Sequence, residues 1–271
     1  MILINGVEKN QLSCKDRGLH YGDGFFETLA VRNGRLLNWD YHWARMQHAR
    51  DRLFFPDLNH DVIFSEIQKL KKDYNDIVIK LIITRGEGNR GYAISDVSVS
   101  RILIRYPWPN FNKHNETNGI ELFSCKTRLA HQPLLAGIKH LNRLENVLAR
   151  HEWQDDNYAE GIVSCQAGNI IEGTMSNVFI VKDNMLKTPE LSNCGVKGVI
   201  REKIIKIAEM QKIALSECQM THHDVNDADE MFMCNSLVGI WPVKKIASKQ
   251  FAIGAGKNPV TQLLQQQIYL P

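Results

Sequence analysis

The stretch Ala136-Gly137-Ile138-Lys139-His140-Leu141-Asn142-Arg143-Leu144-Glu145-Asn146-Val147-Leu148-Ala149-Arg150 joins two kinds of local pattern. Leu141, Leu144 and Leu148 recur at helical spacing, so the second half predicts an amphipathic helix with those three on one face. The first half is a short extended run that ends at Lys139. A lysine placed there, just before an apolar stripe, is open to partial burial, and burial favours the neutral amine. A neutral amine is the form that Schiff-base chemistry uses. On this stretch alone a solvated lysine is the ordinary outcome, so the rest of the chain has to decide.

On the C-terminal side the pattern is mostly of strands. Glu160–Cys165 turns at Ala167-Gly168-Asn169 into Ile170–Glu172, the small polar run Gly173–Asn177 intervenes, and Val178–Val181 continues. This predicts a β-meander rather than alternating βαβ units. Cys194–Ile200 leads into a helix near Arg201–Gln211, whose first amides favour a phosphate. Met231–Cys234 reads as a buried strand ending in Asn235 and Ser236. A last helix is expected over Pro259–Leu270.

On the N-terminal side, Ile120–Cys125 reads as a strand, and the polar, turn-rich run Pro107–Gly119 reads as a domain boundary. Ile77–Thr84 is apolar on both faces, hence a central strand, and Arg101–Tyr106 returns beside it. Between them Arg85–Tyr92 is glycine-rich, but no helix pattern follows, which weakens a nucleotide-loop reading. Helices are expected over Tyr41–Leu53, capped by Asp40 with Trp43, Met46, Ala49 and Leu53 inward, and over Asp61–Lys71. Arg45 lies at the edge of the first helix's inner face, placed either to snorkel to water or to hold an anion in a cleft. Asn5-Gly6 marks a hairpin. Phe25–Val31 and Arg35–Leu37 form a second one, around Asn33-Gly34. The loop Asp16–Gly24 is dense in Gly, Asp and aromatics.

The chain has 271 residues, 44% hydrophobic and 23% charged, with a net charge of +3. No basic run interleaved with aromatics suggests nucleic acid. The six cysteines, at 14, 125, 165, 194, 218 and 234, make no C-x-x-C pair, so neither zinc nor a redox motif is indicated. No signal peptide and no membrane-length apolar segment is seen, and a reduced cytoplasmic protein is expected.

Five motifs in order, HYGDGFFET, RGxGxRGY, AGIKHLNRLENVLAR, IIEGTMSNVFIV and GVKGVIREKI, resemble the fold-type IV pyridoxal phosphate enzymes. That family comprises branched-chain aminotransferases, D-amino acid aminotransferases and aminodeoxychorismate lyases. The resemblance covers nearly the whole chain, and the Lys139 run is most similar to the lyase branch. It implies an α+β fold: a small N-terminal α/β domain, residues 1–112, and a larger β-rich domain, residues 113–271, with pyridoxal 5'-phosphate between them. It also implies a homodimer in which Asp16–Gly24 or Arg85–Tyr92 reaches the partner.

By the same resemblance, Lys139 is the Schiff-base lysine and Glu172 the partner of the pyridine nitrogen. Arg45, the backbone amides of Val199 and Ile200, and Ser236 with Asn235 beside it hold the phosphate. Thr28 assists proton transfer, although a plain strand threonine is the simpler reading. Arg90 and Tyr92 contact either a carboxylate of a small anionic substrate or the neighbouring subunit. The expected reaction converts 4-amino-4-deoxychorismate to 4-aminobenzoate and pyruvate, a step toward folate. The rival is a D-amino acid or branched-chain aminotransferase. Against the D-amino acid branch, Phe26 stands where that branch has a tyrosine, and Arg90-Gly91-Tyr92 lacks the histidine of its RxH pair.

Overall fold

The computed structural model describes residues 1–94, 98–253 and 260–268. They divide into two compact units, Met1–Asn110 with Ile138–Asn142, and Phe111–Gly137 with Arg143–Pro271. A single division at 112/113 has no place for the five residues around Lys139, which group with the first unit.

The first unit contains β1 (Ile2–Ile4), β2 (Val7–Glu8), α1 (Arg17–Tyr21), β3 (Gly24–Arg32), β4 (Arg35–Leu36), α2 (Trp39–Arg52), α3 (His60–Lys71), β5 (Ile77–Thr84) and β6 (Ser100–Pro107). Its six strands form one antiparallel sheet in the order β2-β1-β6-β5-β3-β4. Asn5 and Gly6 both have positive φ, 51° and 80°, as a two-residue turn matching the strand twist requires. Side chains alternate along β3. Phe25, Leu29 and Val31 pack with Ile79, Leu81 and Leu103 against Met46 and Ala49 of α2 and Ile63, Ile67 and Leu70 of α3. Phe26 and Thr28 point to the other face, where Thr28 pairs with Lys80.

Asn38, not Asp40, occupies the N-cap of α2, and Asp40 lies in the first turn, where its charge suits the helix dipole. The buried residues of α2 are His42, Met46 and Ala49, while Trp43 and Leu53 are half-buried. The glycine-rich 16–24 loop holds a helical turn. Asp16 caps α1 by accepting from Gly18 N at 2.8 Å and also accepts from Thr84 Oγ1 at 2.7 Å. Gly22 ends α1 in the left-handed region.

The second unit contains α4 (Asn115–Asn118), β7 (Ile120–Leu129), α5 (Leu144–His151), β8 (Tyr158–Cys165), β9 (Ile170–Gly173), β10 (Asn177–Lys182), β11 (Met185–Pro189), α6 (Val199–Met210), β12 (Leu215–Cys218), α7 (His222–Asp227), β13 (Glu230–Asn235), β14 (Gly239–Ile246), β15 (Lys249–Gln250) and α8 (Val260–Gln267). The sheet order is β12-β11-β10-β13-β14-β7-β8-β9, with β15 beside β14. Its two ends meet, since Ile170 N of β9 donates to Met220 O just beyond β12 at 2.8 Å. The expected ends of the last helix, Pro259 and Leu270, lie outside the described residues.

Two expectations are corrected in this unit. The β-meander is absent: β8–β9 and β10–β11 are hairpins, but β10 pairs with β13 rather than β9. Two helical crossovers join parallel strands, β7–α5–β8 and β11–α6–β12, as parallel pairing demands. The helix after Lys139 begins only at Leu144, which leaves Leu141 of the expected stripe outside it. Leu144, Val147 and Leu148 are 75%, 60% and 60% exposed, and Ala149 is the buried contact, near Cys125 of β7. The small residue allows the close approach to the sheet that a leucine would block.

Candidate active site

Lys139 is set by the edge of β3. Strand β4 pairs only with Val31 and Arg32, which leaves the start of β3 open on that side. The segment at Lys139 takes the place: Phe26 N donates to Lys139 O at 3.0 Å and Leu141 N to Gly24 O at 3.0 Å. The ammonium lies 4.5 Å from the centre of the Phe26 ring, within the range of a cation–π contact. Thr28, half-buried, is two residues along the same sheet face.

Behind that face is a buried ionic cluster. Glu27, 1% exposed, points toward α2. Its Oε1 accepts from Arg45 Nε at 2.8 Å, and its Oε2 accepts from Arg45 Nη2 and from His42 Nδ1, the latter at 2.6 Å. Burial pushes the Glu27 carboxyl upward, but Arg45 and His42 outweigh it and hold it at about 2. His42 is lowered, first by its own burial, against the pull of Glu27, with Arg45 and Lys139 adding to the downward push. A neutral His42 that donates from Nδ1 has its acceptor at Nε2, and that atom is buried without a partner.

Arg90 and Tyr92 lie on the surface of the same unit, Tyr92 at 85% exposed. Their loop is tied down through its backbone. Arg17 pairs with Asp23 at 2.8 Å and donates to Gly91 O at 2.9 Å, and Gly91 N donates to the Tyr21 hydroxyl at 3.1 Å. The Tyr92 ring stands edge-on to Tyr21, 5.4 Å between centres.

In the second unit Glu172 ends a buried strand, 4% exposed, and accepts from Val196 N at 2.8 Å. The loop after it is organised by Glu160. That buried carboxylate accepts from Thr174 Oγ1, from Thr174 N at 3.1 Å, from Met175 N at 3.2 Å and from Ser176 Oγ at 2.7 Å. Val199 and Ile200 open α6, two residues earlier than the helix predicted from Arg201. Gly198 is the N-cap and has no side chain with which to cap their amides. A Cβ there would stand 2.0 Å from Asn177 Oδ1, so the backbone can come this close only as glycine. Asn235 serves the turn after β13: its Oδ1 accepts from Leu237 N at 2.9 Å and Val238 N at 3.0 Å, and its Nδ2 donates to Met175 O at 3.3 Å. Ser236 follows in that turn.

Of the expected residues, Thr28, Arg45, Arg90, Tyr92 and Lys139 thus belong to the first unit, and Glu172, Val199, Ile200, Asn235 and Ser236 to the second. Glu27, His42 and Glu160 were not foreseen. A signal for Glu27 existed: strand alternation puts it between Phe25 and Leu29 on the core side, where a carboxylate needs partners. No group of three metal-ligating side chains occurs among the described residues.

Residues 24–246 match the family Amino-transferase class IV. The chain belongs to the class-IV aminotransferase family. Among its class-IV relatives, the aminodeoxychorismate lyase of Vibrio harveyi is 35% identical over 268 residues, 98% of each chain. A putative branched-chain-amino-acid aminotransferase of Methanocaldococcus jannaschii is 31% identical, over 90% of this chain and 87% of that one. The crystal structure of 4-amino-4-deoxychorismate lyase from Pseudomonas aeruginosa superposes with a TM-score of 0.94 at 42% identity, covering 99% of this chain and 98% of that one.

Class-IV enzymes use pyridoxal 5'-phosphate, and the residues present suit it. The first unit offers a lysine and a braced arginine, and the second a buried carboxylate and helix-start amides beside a glycine whose Cβ would collide with Asn177 Oδ1. This donor set matches an aldehyde, a phosphate and a basic ring nitrogen.

Proposed function

We propose that this chain is a 4-amino-4-deoxychorismate lyase, which converts its substrate to 4-aminobenzoate and pyruvate. The observation that carries the reading is the full-length likeness to the Pseudomonas aeruginosa lyase, at a TM-score of 0.94. The lyase-like run at Lys139 supports it.

When bound, pyridoxal 5'-phosphate supplies an aldehyde for an amine and a ring that accepts electrons. Lys139 is the amine that holds it. Lys139, when its amine is free, would take the proton from the carbon bearing the substrate's amine. The bond to the enolpyruvyl oxygen breaks, the six-membered ring becomes aromatic, and Lys139 returns a proton to the departing group, which ends as pyruvate. Glu172 stabilises the protonated ring nitrogen. Arg45 and the Val199 and Ile200 amides hold the phosphate, with Ser236 and Asn235 supplying polar groups from the next turn. Thr28 assists the proton transfer, and Arg90 and Tyr92 receive substrate carboxylates. The enzyme works as a cytoplasmic homodimer in folate synthesis.

The second reading, a branched-chain aminotransferase, is favoured by the relative of that description at 31% identity. One experiment separates the two. Purified, cofactor-loaded protein is given 4-amino-4-deoxychorismate, and pyruvate and 4-aminobenzoate are followed together, beside Lys139→Ala. Equal amounts of both products are expected from the wild type, with Lys139→Ala slower by about a thousandfold or more. No product from the loaded wild type would remove the lyase reading, and turnover of branched-chain amino acids with 2-oxoglutarate would then establish the other.

A further inference from the structure

The Glu27 cluster is expensive for a protein that needs only a packed core at that position. An ion pair buried between a sheet and a helix ordinarily gains little over apolar side chains of the same volume. Here α2 commits two polar residues to it, His42 and Arg45, three positions apart and so on one helix face. Both reach the one carboxylate that β3 turns inward. The carboxylate engages three donors over its two oxygens: Arg45 Nε at 2.8 Å, Arg45 Nη2, and His42 Nδ1 at 2.6 Å.

The geometry says what this bracing does. Arg45 is gripped by its Nε–Nη2 edge, so the plane of the guanidinium is fixed and its Nη1 edge is directed away from Glu27. His42, fully buried, holds Glu27 from the side and so fixes the carboxylate in turn. A lone arginine on a helix surface samples many rotamers, and ordering it costs free energy at the moment an anion binds. Here that cost falls within folding.

We propose that Glu27 and His42 are positioning residues that fix the Arg45 guanidinium for the phosphate of the cofactor. The proposal rests on the reading that Arg45 holds this phosphate, and the test separates the two. Pyridoxal 5'-phosphate and pyridoxal both react with Lys139, and only the first carries a phosphate. The dissociation constant of pyridoxal divided by that of pyridoxal 5'-phosphate therefore isolates the phosphate contribution, and this ratio is measured by absorbance titration without turnover. Arg45→Gln should lower the ratio sharply. Glu27→Gln, nearly isosteric, should lower it by about tenfold, with pyridoxal binding little changed. In the double variant the two losses should not add.

A wild-type ratio in Arg45→Gln would overturn the reading of Arg45 itself. A lowered ratio in Arg45→Gln beside a wild-type ratio in Glu27→Gln would overturn the positioning role alone. Equal weakening of both ligands by Glu27→Gln would make Glu27 a structural residue and also overturn it. Should Glu27→Gln fail to fold, His42→Asn, which leaves the Glu27 charge in place, reads the same ratio. A several-fold fall supports the proposal, and no change overturns it.

Discussion

Glu27 is a carboxylate held ionised inside a core, and that state has a pH signature. Its pKa of about 2 lies below the ordinary 4.5. A group with a depressed folded-state pKa adds stability that is fully present above its unfolded pKa and is lost as pH falls through the folded one. The wild type should therefore lose stability between about pH 4.5 and about pH 2, more steeply than Glu27→Gln. Acid titrations of both, followed by circular dichroism, check this, and coincident curves would contradict it. At this scale the sequence was legible where a residue sits in a motif. Lys139 and Glu172 stood out because each is flanked by a recognisable run. Glu27 lies within HYGDGFFET but was given no role there, and His42 lies in none of the five motifs. Their partnership spans 15 residues and exists only once α2 has packed on β3.

Among the elements, the start of α6 carries the sharpest consequence. Gly198 has an ordinary helical-approach φ of −70°, so alanine would meet no backbone strain there, only a collision with Asn177 Oδ1. Asn177 is itself fixed by donating to Val196 O at 2.8 Å. Gly198→Ala should thus cost about 1–3 kcal/mol of stability, as overpacking does, and should weaken phosphate binding as the first turn shifts. Denaturant titration with and without inorganic phosphate measures both. Most strands were legible from alternation and turn residues, and Ile77–Thr84 came out with its predicted ends. In the helix after Lys139, Leu144 and Leu148 share one face as their spacing predicts, but periodicity finds an apolar stripe without saying which side the protein buries. Ala149 packs, and the leucines do not. The crossovers were missed because strand order is a long-range property that no local pattern encodes.

For the molecule as a whole, the α+β class followed from the resemblance carried by the five motifs rather than from composition, and no helix among the described residues is long and apolar enough to cross a membrane. Each unit has its own core, one centred on β3 and β5 and the other on β10, β13 and β14. The proposed homodimer predicts a mass in solution of twice 31.0 kDa, read by light scattering, and a monomeric mass with full activity would refute it. The burial of the cysteines bears on how this protein can be handled. Cys125, Cys165, Cys194 and Cys234 are buried, Cys218 is half-buried, and Cys14 is exposed. Burial pushes the thiols of Cys125, Cys194 and Cys234 up to about 12, which leaves almost no thiolate near neutrality. A maleimide should therefore modify Cys14 first and Cys218 more slowly, with the other four reacting only on unfolding, as timed mass spectrometry would show. Cys14 lies just ahead of α1, whose Arg17 and Tyr21 hold the backbone of the Arg90–Tyr92 loop. A dye placed there gives a native, mutation-free reporter of whether that loop moves when substrate arrives.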